Sequence, residues 1–224
     1  MGSQKVKQTL LDIYRKLMAQ YGPQHWWPAL EPFEIIVGAI LTQSAAWINV
    51  EKAIANLKKE AALSPAALRQ LPQAEVARLV HPCGYYNAKA RKLQAFARWL
   101  GEQYQDNLEE LFANDVDHLR DQLLAIYGIG EETADSIILY AANKPIFVID
   151  AYTRRIISRL GIATHGDSYA SYQHLFMSNL PGDTRLFNEY HALLVRLAKN
   201  ACQSHPLCQQ CCLNDMCNFH DHLQ

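Results

Sequence analysis

The sequence has no uninterrupted apolar run of about eighteen residues, the length a membrane-spanning helix needs, so a helical membrane protein is not expected. The first residues, MGSQKVKQTLLDIYRKL, pass from a polar start into an amphipathic pattern. They lack the basic, apolar and small-residue order of a secretory signal, and cytoplasmic residence is expected. An excess of either charge is also missing. The 21 Lys and Arg against 22 Asp and Glu leave a formal net charge of −1. That balance argues against an unselective polyanion binder, so any nucleic-acid contact must rest on motifs or a local basic face. Alternating β-branched residues are scarce, with Pro145-Ile146-Phe147-Val148-Ile149 the one short strand-like stretch. Repeats, low-complexity tracts and an obvious linker are absent. Before Cys202, only Cys83 interrupts a chain without cysteine.

What is present reads as helix. Leu10, Leu11, Tyr14 and Leu17 recur at helical spacing, as do Ile35, Ile36, Ala39 and Ile40, then Val50, Ile54 and Leu57. Ser64-Pro65 has the form of an N-cap followed by proline in the first turn. Further helices are expected over 74–80, 88–100, 107–112, 116–126, 132–142, 151–160, 168–179 and 184–200. The pattern predicts an all-α fold with short connections. Five cysteines crowd between Cys202 and Cys217. Disulfides of a secreted fold would be scattered, whereas such a knot suits metal ligation in a reducing compartment. Cys83 reads as an inert buried thiol.

Two segments carry chemistry. In Leu123-Leu124-Ala125-Ile126-Tyr127-Gly128-Ile129-Gly130-Glu131-Glu132-Thr133-Ala134, two glycines flank one apolar residue between helices. Glycine permits the backbone conformations of a tight turn, and the following helix start exposes amides where a phosphate can dock. A plain helix–helix corner is the simpler reading of that stretch alone. About twenty residues on, Lys144-Pro145-Ile146-Phe147-Val148-Ile149-Asp150-Ala151-Tyr152-Thr153-Arg154-Arg155 ends an apolar run on an aspartate that opens a helix. Asp150 suits an N-cap, and a carboxylate there also stays ionised and can face a developing positive charge.

Together the hairpin and Asp150 resemble the helix-hairpin-helix, Gly/Pro-loop, aspartate signature of the endonuclease III superfamily of DNA glycosylases. The resemblance covers nearly the whole chain. Gln43, after Ile40-Leu41-Thr42, matches the glutamine that enters the duplex. Gly84-Tyr85-Tyr86-Asn87-Ala88-Lys89-Ala90 matches a G-x-Y-N-x-K-A helix start, and residues 191–202 match the last helix. The resemblance implies a six-helix domain over 26–144 and a second helical domain joining 1–25 to 145–224, with a cleft between the two lobes. It also implies a monomer acting on double-stranded DNA with a flipped damaged base, and association with the nucleoid. Gly128, Gly130 and Thr133 are then the DNA-binding hairpin residues. Lys89, Arg91 and Lys92 are candidate phosphate contacts, with a solvated helix face as the alternative.

Cys202-x5-Cys208-x2-Cys211-x5-Cys217 is similar to the loop in which four cysteines hold a 4Fe–4S cluster. Its first gap is one residue shorter than usual, Cys212 is a spare, and a zinc site of four cysteines has the same donors. Bifunctional members carry a lysine where this chain has Glu132. A carboxylate cannot form their Schiff base, which implies a monofunctional enzyme using Asp150. His25-Trp26-Trp27-Pro28, Trp47, the Ile-Leu-Thr-Gln run and Gly-Ile-Gly-x-Glu most resemble the 3-methyladenine glycosylase branch. There, aromatic rings sandwich an alkylated purine; Trp47 with Trp26 or Trp27 would supply them here. Glu132 would add preference for a cationic base. Rival readings are a mismatch glycosylase removing adenine or thymine and a non-catalytic iron–sulfur DNA-binding protein.

Overall fold

The computed structural model describes residues 3–29, 31–162 and 164–221. In chain order its helices are α1 (Ser3–Tyr21), α2 (Pro32–Leu41), α3 (Trp47–Lys59), α4 (Pro65–Gln70), α5 (Gln73–Leu79), α6 (Tyr86–Tyr104) and α7 (Leu108–Ala113). They continue as α8 (Val116–Leu124), α9 (Glu131–Ser136), α10 (Ala151–Leu160), α11 (Tyr169–Met177), α12 (Thr184–Asn200) and α13 (Asn218–Asp221). A π-helical turn, Ile137–Ala141, extends α9 directly. No strand occurs among the described residues, and none of their helices is long and apolar enough to cross a membrane. The chain forms two compact units, one running from Trp27 to Lys144 and the other made of the segment through Trp26 plus everything from Pro145.

The discontinuous unit is built around aromatic rings. Leu10, Ile13 and Leu17 of α1 are fully buried, as is Tyr190 of α12. The Tyr190 hydroxyl donates to the Leu10 carbonyl at 2.8 Å, and burial pushes its pKa well above the usual tyrosine value, so it remains a neutral donor. Phe147 stacks on Phe176 at 3.8 Å and 6° and meets Phe187 and Tyr190 edge-on. These contacts explain why the strand-like stretch before Asp150 forms no sheet. Ile146, Phe147, Val148 and Ile149 are all buried. The Phe147 carbonyl accepts from Gln173 Nε2 at 2.9 Å, and the Ile149 amide donates to Tyr169 Oη at 3.2 Å. Side chains of α11 thus take the place of a neighbouring strand.

The continuous unit packs α4 and α5 on α6, while α2 is buried from Ile35 through Leu41. Among its described residues, eight α-helical segments stand where six were expected, because short helices are separately capped. Ser64, Asn107 and Asp115 each accept from the amide three residues on, and Pro72 separates α4 from α5. The end of α6 is fixed by Arg69, which grips both oxygens of Asp106 at 2.5 and 2.7 Å. That pair holds the left-handed turn at Gln105 and Asp106 (φ 47° and 67°).

Candidate active site

Asp150 is the N-cap of α10. Its Oδ1 accepts from the Thr153 amide at 2.7 Å, and Oδ2 lies 3.7 Å from His191 Nε2. Side-chain exposure is 13% for Asp150 and 9% for His191. Burial works to raise the carboxyl's pKa, but His191 and the Thr153 amide outweigh it and hold it below the usual aspartate value. The aspartate is therefore an anion kept out of bulk water. His191, on the buried face of α12, was not anticipated as its partner. Nothing in the sequence distinguishes it from any polar residue on an apolar helix face.

In the continuous unit, α8 leads through a turn into α9. Gly128 has φ +82°, a conformation that L side chains rarely adopt, and an added Cβ would collide with the Lys92 stem. Gly130 is the N-cap residue of α9. Gln43 is brought onto this hairpin: its Nε2 donates to the Gly128 carbonyl at 3.1 Å and to Thr133 Oγ1 at 2.9 Å, and its Oε1 accepts from Lys92 Nζ. Thr133 is buried, so its hydroxyl serves Gln43 instead of facing outward. Glu132 is exposed in the first turn of α9, where an acidic side chain suits the helix dipole.

The three candidate phosphate contacts separate. Lys89 is corrected to a structural residue, being only 2% exposed. Its ammonium donates to the Leu41 and Cys83 carbonyls at 3.0 and 2.7 Å, tying the end of α2 to the turn before α6, and burial lowers its pKa. Arg91 is exposed, its guanidinium 5.6 Å from the centroid of the exposed Tyr127 ring. Lys92 is occupied by Gln43.

The aromatic residues depart from the expected sandwich. Trp27 and Trp47 meet edge to face, centroids 5.1 Å apart at 88°. A base between parallel rings needs roughly 7 Å, twice an ordinary contact distance. Trp27 also packs against Tyr140 at 5.3 Å and 54°, and an added Cβ at Gly38 would lie 2.8 Å from the Trp27 ring. The Trp47 Nε1 donates to Glu51 at 2.9 Å. Trp26 groups with the other unit. Tyr140 was missed because it sits in the π-helical turn, where ordinary helical spacing mispredicts which face a residue occupies.

Cys202, Cys208, Cys211 and Cys217 line one recess with Arg159, Ala201, Pro206, Asn214 and Phe219, whereas Cys212 is not among its walls. Burial, then Cys217 and Cys202, push the Cys208 thiol up; Cys211 is pushed up to about 11, chiefly by burial. Burial raises the Cys212 thiol as well, but its charged neighbours are Lys16 and Asp215. Among the described residues no three potential ligands already stand in a metal-holding group. The four thiols nevertheless share one apolar hollow, which is the donor set that a thiolate-bound iron–sulfur or zinc centre takes. The loop is anchored on α10: Arg155 donates to the Cys202 carbonyl at 3.0 Å, and Arg159 to the Gln203 and Ser204 carbonyls at 2.6 and 3.1 Å. At the end of α10, Gly161 (φ +70°) leaves room for the Asn218 side chain, which an added Cβ would strike.

Gly128 at positive φ in a hairpin and, further along the chain, a buried, ionised aspartate capping a helix are the two features that the resemblance to a glycosylase scaffold requires. The chain belongs to the HhH-GPD superfamily of base excision DNA repair proteins, whose model matches residues 37–181. A protein of Methanocaldococcus jannaschii that bears the name "putative DNA repair glycosylase" is 42% identical over 210 residues, covering 93% of this chain and 95% of that protein. The structure of Helicobacter pylori 3-methyladenine DNA glycosylase bound to 1,N6-ethenoadenine matches with 26% identity and a TM-score of 0.74, over 89% of this chain and 98% of that one. A trapped endonuclease III–DNA covalent intermediate shares the fold at 21% identity and a TM-score of 0.83, over 97% and 98%. The chain is accordingly a DNA glycosylase of base excision repair.

Proposed function

We propose that this glycosylase is monofunctional and hydrolyses the N-glycosidic bond of alkylated purines of the 3-methyladenine type. The carrying observation is Asp150, a desolvated carboxylate kept ionised by His191 and the Thr153 amide. Such a group stabilises positive charge developing on the sugar as the base departs, and can accept the proton of the attacking water. With Glu132 in the position of the lyase lysine, no amine is offered there for a sugar imine.

Substrate choice rests on the rings and on leaving-group chemistry. A methylated purine bearing positive charge leaves without a strong general acid, and an aromatic face attracts a cation by ~0.5–2 kcal/mol. Trp27 packs against both Trp47 and Tyr140, and these three rings form the aromatic group. One ring of that group would receive the flipped base by stacking. Gln43 would fill the space that the base vacates, while the amides around Gly128 and Gly130, with Arg91, meet the phosphates. Cys202, Cys208, Cys211 and Cys217 would hold a 4Fe–4S cluster, which supplies a cross-link that folds their loop.

The test is base release from duplexes that each contain one defined lesion. The reading expects 3-methyladenine and related cationic purines to be released, leaving an abasic strand that breaks only on alkali treatment. Release of thymine or adenine from mismatches, with methylpurines untouched, would transfer the assignment to a mismatch glycosylase. No release from any duplex by a protein that binds DNA would make it a non-catalytic binder.

A further inference from the structure

Both polar atoms of the Gln43 side chain are engaged. Its amide hydrogens go to the Gly128 carbonyl and Thr133 Oγ1, and its carbonyl oxygen accepts from Lys92. An ammonium is donor-only, so Lys92 can bind just the oxygen end of that amide. The turned amide would place its NH2 group against Lys92 and its oxygen against the Gly128 carbonyl, leaving two donors and two acceptors facing one another. Lys92 thereby selects one of two nearly isosteric orientations. Its stem lies so close to Gly128 that any larger residue there would displace it. The hairpin turn, the lysine and the glutamine are thus one packed unit.

We propose that Lys92 is a positioning residue that holds the Gln43 amide in a fixed orientation on the hairpin, ready to occupy the gap left by a flipped base. This rests on the reading above in which Gln43 enters the duplex. Holding a long, flexible side chain in place before DNA arrives removes ordering entropy that binding would otherwise have to supply. The role differs from the phosphate contact that a lysine on a helix face suggests, because a phosphate contact acts on any duplex.

The experiment is a double-mutant cycle on Lys92→Met and Gln43→Ala in the full chain. Methionine keeps an unbranched apolar stem beside Gly128 and removes only the ammonium. The ligands are an undamaged duplex and one carrying a tetrahydrofuran abasic analogue opposite 2-aminopurine. Their affinities are measured across a salt series, with 2-aminopurine fluorescence reporting occupation of the gap. Each single variant should lose about ten- to a hundredfold of the preference for the abasic duplex, the range of one charge-assisted hydrogen bond. The double variant should lose no more than twofold beyond either single variant, and Lys92→Arg should retain most of the preference.

Losses that multiply in the double variant would overturn the proposal. So would a Lys92→Met protein that weakens on both duplexes alike with a salt slope smaller by about one, the mark of a phosphate contact. A Gln43→Ala protein with unchanged preference would instead remove Gln43 from the duplex, and the proposal with it, which keeps the two failures apart. If Lys92→Met unfolds, Lys92→Leu, which also has no donor, serves in the same cycle with the same expectations.

Discussion

Asp150→Asn separates the two tasks of this residue, capping a helix and carrying charge. Asparagine caps as well as aspartate, so the bond to the Thr153 amide is retained. The folded state should therefore move by no more than about 2 kcal/mol. Catalysis should respond differently. A unit charge about 4 Å from a developing cation, at an effective dielectric near 20, contributes about 4 kcal/mol, or roughly a thousandfold in rate. Single-turnover release of 3-methyladenine under excess enzyme should fall by about that factor, while gel-shift affinity for the same duplex persists. A folded Asp150→Asn protein that releases base within tenfold of wild type would take Asp150 out of the mechanism.

The pH dependence follows from the same shift. The folded carboxyl lies below its unfolded value of about 3.9. Its stabilising contribution is therefore complete above the unfolded value and lost as pH falls through the folded one. Between pH 7 and about 5 this carboxylate should cause no loss of excision rate or stability. Direct titration of the Asp150 carboxyl by carbon NMR that placed its midpoint between about pH 5 and 7 would mean that it is raised, contrary to the geometry described.

Purified anaerobically, the protein should be brown and hold roughly four irons; replacing Cys202, Cys208, Cys211 or Cys217 with serine should bleach it, while Cys212→Ser should not. Stoichiometric zinc in its place would decide for the tetrahedral alternative. Borohydride should trap no covalent adduct on lesion DNA, and efficient trapping would reveal an amine nucleophile other than position 132. Trp47→Ala should lose ~1–3 kcal/mol of transition-state stabilisation on 3-methyladenine, whereas Trp47→Phe should keep much of the activity because the π-face survives. Normal excision by a folded Trp47→Ala enzyme would remove that ring from the base pocket.

What the sequence could and could not reveal divides along a physical line. Local rules were legible: the Ser64 and Asp150 caps bond as their residue types require, and Gly128 takes the positive φ expected of a hairpin glycine. Contacts distant in the chain were not. The burial of Lys89 depends on carbonyls of Leu41 and Cys83, and a lysine on a helix carries no mark separating such a tie from a phosphate contact. The same holds for His191 against Asp150, and for Lys92 against Gln43 49 residues earlier. The tryptophans were recognisable as a group, but their relative angle depends on Gly38 and Tyr140, which aromatic spacing cannot encode. A fold common to enzymes with different substrates leaves the choice of base to individual side chains, and on the proposed function these are Trp47, Trp27 and Tyr140. Those residues, more than the hairpin and the aspartate, are where substitutions should change which lesion is removed without abolishing removal.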